Sequence, residues 1–246
     1  MKRLIVVVLS VLMLASTVIY AADVAVLDSI LANNFYVGLG WPYDEMMDGV
    51  IDTFKEAKIQ FDVISDDDMA NIKKLEQYKV LVLPDNRPMD TAAVEVVLKL
   101  VADGKLKVFG TYQSSFRDAA NQRVGDGNFQ LEEIYDMKYS SWAGAGNIFI
   151  GKPDDLKDHP IWKGLPPEIM LITADQMVCE WLGFGKPLGV WLDSSLNPMR
   201  EEDFNVAVVE TNGGIYCNGW FWHPNNTDDD DVRKFAVNIV NYLLGK

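Results

Sequence analysis

The stretch "KVLVLPDN", Lys79 to Asn86, constrains the fold more than any other part of the chain. Val80 to Leu83 are aliphatic at successive positions with no polar alternation, so a strand made of them is covered on both faces. Pro84 ends it, because proline brings no N–H to a sheet ladder. Strands of this kind belong to parallel sheets flanked by helices. "DVAVLDS" and "QFDVIS" read as strands before it and "LKVFG" as a strand after it. Between them, Met46, Met47, Val50, Phe54 and Ala57 recur at helical spacing, and "DDDMANIKKL" reads as one short capped helix. "MDTAAVEVVLKLVADGK" reads as a helix capped by Asp90 and stopped at Gly104. "ILANNFYVGLGWPY" reads as a polar and aromatic loop. Short-spaced alternation of strand and helix implies right-handed crossovers over a parallel sheet.

The second half is less regular. "GNFQLEEIYDMKY" predicts a helix, "NIFIGK" and "KPLGVWLD" predict strands, and "DHPIWKGLPPEI" is a proline-punctuated loop. "FNVAVVETNGGIYCNGWFW" reads as two strands joined at "TNGG", a hairpin signal. On the second of these strands Trp220 and Trp222 share a face, which either stacks on sugar rings or packs beneath the last helix. That helix, from "DDDDVRKFAVNIVNYLLGK", turns Val232, Phe235, Ala236, Ile239, Val240 and Leu243 inward. Its leading aspartates suit a helix N-terminus better than a calcium loop, whose Asp-x-Asp-x-Asp-Gly spacing is absent. The fold expected is α/β: a flavodoxin-like, doubly wound, mostly parallel sheet with a β-hairpin extension. One domain covers residues 23–246.

Residues 1–22, "MKRLIVVVLSVLMLASTVIYAA", place Lys2 and Arg3 before an apolar run that ends in small residues, the layout of a secretory signal peptide. Its uninterrupted apolar core is shorter than the ~20 residues a spanning helix needs. The mature chain is then expected outside the cytoplasm, in a periplasm or secreted, with no membrane attachment. Net charge is -14 for the whole chain. That balance argues against nucleic acid and anionic membrane surfaces as partners. Cys179 and Cys217 are an even pair in an oxidising compartment, hence a disulfide candidate, but both sit in apolar contexts where free buried thiols are also common. The sequon at Asn225 matters only in a glycosylating host.

Ligands of doubly wound sheets bind at the carboxyl ends of the strands. Here those ends present Asp28, Asp85 with Asn86, and the turn "GTYQSSFR" with Tyr112, Gln113, Ser114, Ser115 and Arg117. Trp222 and His223 join from the late strand. This is a candidate cleft for a carbohydrate or another small polar ligand. No cofactor motif and no metal-ligand spacing occur in the chain.

"VLVLPDN", a helix, then "ADGKLKVFGTYQSSFRDAANQRVGDGNFQLEEIYDMKY" resembles the class I glutamine amidotransferase-like fold. More narrowly, the proline-ended strand, the glycine-marked helix end, "T-x-x-S", Asp118, Arg123 and the segment before Tyr139 are similar to the β-galactosidase trimerisation domain. "DHPIWKGLP" resembles trehalose-utilisation-type proteins of the same fold. The likeness spans roughly residues 23 to 172 and the last helix. It implies carbohydrate association and a homo-oligomer.

A working glutaminase of this fold carries Gly-x-Cys-x-Gly at the corner, with a histidine base. Laid on that pattern, Gly110 matches the first glycine, Tyr112 stands in place of the cysteine, and Ser114 replaces the second glycine. A phenol, with an ordinary pKa near 10, is a poor acyl-transfer nucleophile. Losing the second glycine also makes the tight turn harder to form. Glutaminase activity is therefore not expected, and the leading expectation is a non-catalytic binding or assembly module. The alternative is a glycoside or small-ester hydrolase using Ser114 or Ser115 with His223 or a carboxylate. His159, the other histidine, precedes Pro160 in a loop where an imidazole commonly fixes a turn. No Gly-x-Ser-x-Gly elbow accompanies the serines.

Overall fold

Val80–Leu83 is a fully buried strand whose side chains alternate between two cores, Val80 and Val82 facing one and Leu81 and Leu83 the other. This computed structural model describes residues 22–246 except 126, 127, 145, 157, 173 and 174, so all of the expected leader but Ala22 lies outside the described residues. In chain order the strands are β1 (Val24–Leu27), β2 (Phe61–Ile64), β3 (Val80–Leu83), β4 (Lys107–Thr111), β5 (Met137–Gly144), β6 (Asn147–Gly151), β7 (Glu168–Ile172), β8 (Asp175–Trp181), β9 (Lys186–Leu192), β10 (Val206–Thr211) and β11 (Gly214–Cys217). The helices are α1 (Ile30–Gly38), α2 (Tyr43–Glu56), α3 (Asp66–Met69), α4 (Ile72–Leu75), α5 (Thr91–Ala102), α6 (Glu132–Tyr135), α7 (Pro224–Thr227) and α8 (Asp230–Leu243).

One large sheet runs β2-β1-β3-β4-β11-β10-β9-β6-β7. The half from β2 to β11 is parallel in the doubly wound order. From β11 onward every pairing is antiparallel, so the hairpin of β10 and β11 is the joint to a longer extension formed by β9, β6 and β7. β5 and β8 form a separate antiparallel pair. On one face α1, α2 and α8 pack on Val24, Val26, Phe109 and Ile215; on the other α5 and α6 pack on Ala25, Leu27, Val108 and Tyr216. Gly214 has no substitute at the hinge of the two halves: its φ is +149°, and a Cβ there would stand 1.9 Å from the Val108 carbonyl oxygen.

Four sequence expectations are corrected. The aromatic loop after Asp28 is the helix α1, started by Ser29, whose hydroxyl accepts the Ala32 N–H, and held by buried Ala32 and Tyr36 on one face. "DDDMANIKKL" makes two helical turns rather than one, because Asn71 caps a fresh turn with its own side chain. The helix expected from "GNFQLEEIYDMKY" shrinks to α6; Asp136 takes a left-handed conformation (φ 53°) and turns the chain into β5. The disulfide does not form: Cys179 and Cys217 are free and belong to opposite cores of the large sheet. At the last helix Asp229 accepts the N–H groups of Asp231 and Val232.

Candidate functional site

After β1 the chain turns to the α1–α2 face and after β3 to the α5 face, so the connections diverge between these neighbouring strands. A crevice opens where strand order reverses in this way. Its β1 side carries exposed Asp28, whose Oδ1 accepts from the Tyr43 hydroxyl at 3.2 Å, while the Tyr43 hydroxyl oxygen accepts the Ser29 N–H at 2.9 Å. Its β3 side carries Asp85, Asn86 and Arg87. Asp85 is buried at φ 54°, its carbonyl accepting from Tyr36 and its Oδ1 from Thr111 at 2.5 Å. Burial raises the Asp85 carboxyl to about 8 despite the Thr111 hydrogen bond, so it is largely protonated at neutral pH. Asp85 Oδ2, Asn86 Oδ1 and Arg87 Nε, on consecutive residues, are buried with no hydrogen-bond partner among the described residues.

The corner after Gly110 keeps the sharp turn although Ser114 occupies the second glycine's position. Tyr112 has φ 47° and Ser115 φ 63°. A Cβ on Gly110 would come within 2.5 Å of the Tyr135 hydroxyl, which explains the glycine. Tyr112 is fully buried, its ring stacked 5.6 Å from that of Trp220 and nearly parallel to it at 5°. Trp220 stacks in turn on Trp41 at 4.6 Å, and Tyr36 packs beside both. The ground where a nucleophile would stand is filled with rings.

The two serines face inward. Ser114 shares its hydroxyl proton between the carbonyls of Leu83 and Thr111 and accepts the Asn86 N–H; Ser115 Oγ accepts the Leu131 N–H. His223 caps α7, its Nδ1 accepting the Asn225 N–H at 3.2 Å, and sets its ring edge-on to Trp220. Burial lowers its pKa. Among the described residues neither serine bonds to a histidine. His159 caps the turn at Pro160–Trp162, and Trp222 lies in the core against Phe54, Phe109 and Phe221. The strand expected to carry Trp220 and Trp222 stops at Cys217, and the two indoles enter opposite cores, so they present no common face.

Gln113 and Arg117 lead outward from the same turn. Arg87 Nη1 donates to Gln113 Oε1 at 2.7 Å, and backbone hydrogen bonds from Arg117 to Arg87 and from Met89 to Arg117 tie the two loops together. Arg87 lies over the Phe35 ring, Arg117 over Phe116 at 3.8 Å, and Arg123 over Tyr139. Trp142 on β5, 41% exposed, adjoins Tyr139, Phe116 and Tyr112. Sequence reasoning passed over Arg87 and Trp142. Arg87 directly follows the strand-end pair Asp85 and Asn86, a usable signal; Trp142 lies in a stretch with no motif.

A cleft of about 750 Å³ lies elsewhere, between His159 and the end of α8. Its His159 and Tyr242 are both engaged with Glu210 outside the cleft lining, Tyr242 donating to Glu210 at 2.6 Å and rising to about 12 in pKa through that bond. Topology favours the strand ends as the site, because buried polar groups from several loops converge there. Among the described residues no three His, Cys, Asp or Glu side chains gather as metal ligands, and no helix is long and apolar enough to cross a membrane.

No family model and no curated protein matches the chain. Solved structures do share its fold. A ThuA-like protein from Bacteroides uniformis superposes with a TM-score of 0.68 at 14% identity, covering 92% of this chain and 92% of that one. The α-L-fucosidase isoenzyme 2 of Paenibacillus thiaminolyticus gives 0.64 at 22% identity over 92% of this chain, and a β-galactosidase from Rahnella sp. R3 gives 0.69 at 14% over 91%. This chain spans only 33% and 31% of those two glycosidases. The α/β fold is thereby placed among glycosidase-related segments and a ThuA-like protein.

Proposed function

We propose that the protein is an extracytoplasmic, carbohydrate-associated binding or assembly module of amidotransferase-like fold that has lost the amidotransferase reaction. The observation that carries this reading is Tyr112. Where the resembling enzymes hold a thiol on a strained turn, this chain keeps the strain and substitutes a buried phenol stacked on Trp220. Acyl transfer needs an accessible nucleophile beside a base, and Ser114 and Ser115 are turned into backbone hydrogen bonds instead. Binding to sugars draws support from the glycosidases that share the fold and from the partly exposed indole of Trp142, since aromatic faces suit the apolar faces of sugar rings.

The mature protein treated with a glutamine-mimicking electrophile is expected to show no mass increase, whereas a covalent adduct would overturn the loss of chemistry. On a glycan array a sugar hit is expected that Trp142→Ala weakens; a blank array sinks the carbohydrate part.

A further inference from the structure

The chain has six arginines, Arg3, Arg87, Arg117, Arg123, Arg200 and Arg233, and three of them gather at one edge of the strand-end crevice. Guanidinium groups in an acidic protein ordinarily find carboxylates, as Arg233 finds Glu56. Here, among the described residues, no carboxylate lies within ion-pair distance of Arg87, Arg117 or Arg123. Yet Arg117 is only 8% exposed and Arg87 is half-buried. Burial together with the neighbouring charges of Arg87 and Arg123 brings the Arg117 guanidinium down to about 10. Stacking on Phe35, Phe116 and Tyr139 offsets only a small part of the penalty for burying like charges together. Hydrogen-bonding capacity is also unfilled: Arg117 donates to the Phe116 carbonyl, Arg87 to Gln113, and Arg87 Nε is buried without a partner among the described residues. The cluster is nonetheless held stiffly, since the backbone ladder between Arg87, Met89 and Arg117 is closed further by Gln130, whose amide donates to the carbonyls of Met89 and Arg117.

Uncompensated, stiffly held guanidiniums beside a half-exposed indole describe a recognition site for an anion joined to a ring. Resting on the binding-module reading above, we infer that the ligand is an acidic sugar, a glycan unit bearing a carboxylate or a sulfate ester. Arg87 and Arg117 hold its charge, Arg123 closes the outer rim, and its ring lies against Trp142. A neutral sugar leaves the guanidiniums as they are in the free protein, so charge rather than ring shape decides affinity.

The test is calorimetry on the whole mature protein with matched pairs: galacturonate against galactose oligosaccharides, and a sulfated galactan oligosaccharide against its desulfated form. The acidic member of at least one pair is expected to bind roughly tenfold or more tightly, since hydrogen bonds to charged groups are worth that much. Which pair responds identifies carboxylate or sulfate as the source. Arg117→Gln and the exposed Arg123→Gln are expected to bring acidic and neutral affinities together, with near-ultraviolet circular dichroism showing that each variant is folded; Arg123→Gln decides the matter if Arg117→Gln does not fold. Equal affinity within both pairs, unchanged by Arg123→Gln, overturns the acidic ligand and leaves the binding module standing. No binding by any of the four glycans overturns both.

Discussion

Two regions meet along the turn from Thr111 to Arg117, and they treat polar groups in opposite ways. At the inner end, Ser114 and Ser115 are closed by backbone partners, while Tyr112 is buried and stacked on Trp220. At the outer end, Gln113 accepts from Arg87, and Arg87 and Arg117 form a cation cluster with no carboxylate at ion-pair distance among the described residues. Polar groups satisfied within the protein have no need of a ligand; charges left uncompensated do. The inner end is therefore closed upon itself and the outer end keeps buried charge uncompensated, although a few residues separate them in sequence.

The harshest way to break this contrast is Trp220→Ala. Its indole stacks on Tyr112 and Trp41 and edges against His223, so removal opens a cavity in the inner end. A loss of about 3–5 kcal/mol is expected by denaturant titration, as for other large-to-small aromatic truncations, while Arg123→Gln at the rim should stay within about 0.5 kcal/mol. Comparable losses at both positions would show that the rim is core after all.

Asp85 gives the next largest effect and sharpens the comparison through pH. Its unfolded carboxyl ionises near 3.9, whereas burial holds the folded one to about 8. Between those values the native state binds more protons than the unfolded state, so stability falls as pH rises from about 4 to 8. The two histidines act in the opposite direction: their pKa values are lowered by burial, so stability gained from them rises with pH. Only the difference between wild type and Asp85→Asn isolates the carboxyl. At pH 8 the asparagine variant is expected to be more stable by about 2–4 kcal/mol, an advantage that shrinks toward pH 5. Parallel stability–pH curves for the two proteins would mean that Asp85 is ionised in the fold, and that the crevice is wetter than the inner end.

Much of the parallel half was legible, and for a definite reason. Val80–Leu83 announces burial on both faces by composition alone, and Asp90 caps α5 as its sequence suggests. Where the reading failed, the deciding contact was tertiary. α1 looked like a loop because its aromatic and asparagine residues are poor helix signals; the burial of Ala32 and Tyr36 overrides them. The helix foreseen across Asp136 fails because that residue adopts a left-handed conformation without being glycine, its carboxylate fixed by Trp181 and the N–H groups of Phe184 and Gly185. The strand ends themselves were legible, since they follow from the alternation of strand and helix. The arginine cluster was not: Arg87 and Arg117 are brought together only by the adjacency of β3 and β4.

The cysteines carry the smallest expected effect, which is none, and they test the inner end from beneath. Cys217 supports the corner directly, its carbonyl accepting the Tyr112 N–H at 2.9 Å, while Cys179 faces the other core and sets its thiol 3.5 Å from Asn218 Oδ1. Which face a strand residue takes depends on register, which the separation of two cysteines along the chain does not encode. Burial pushes both thiols well above the ordinary range, so thiolate is scarce at neutral pH. Reductant is therefore expected to leave the melting temperature unchanged. A thiol reagent should label neither cysteine in the native protein and both after denaturation. A melting temperature that drops on reduction would demand a bridge, and with it a displacement of β11 large enough to release Tyr112 from Trp220 and open the corner.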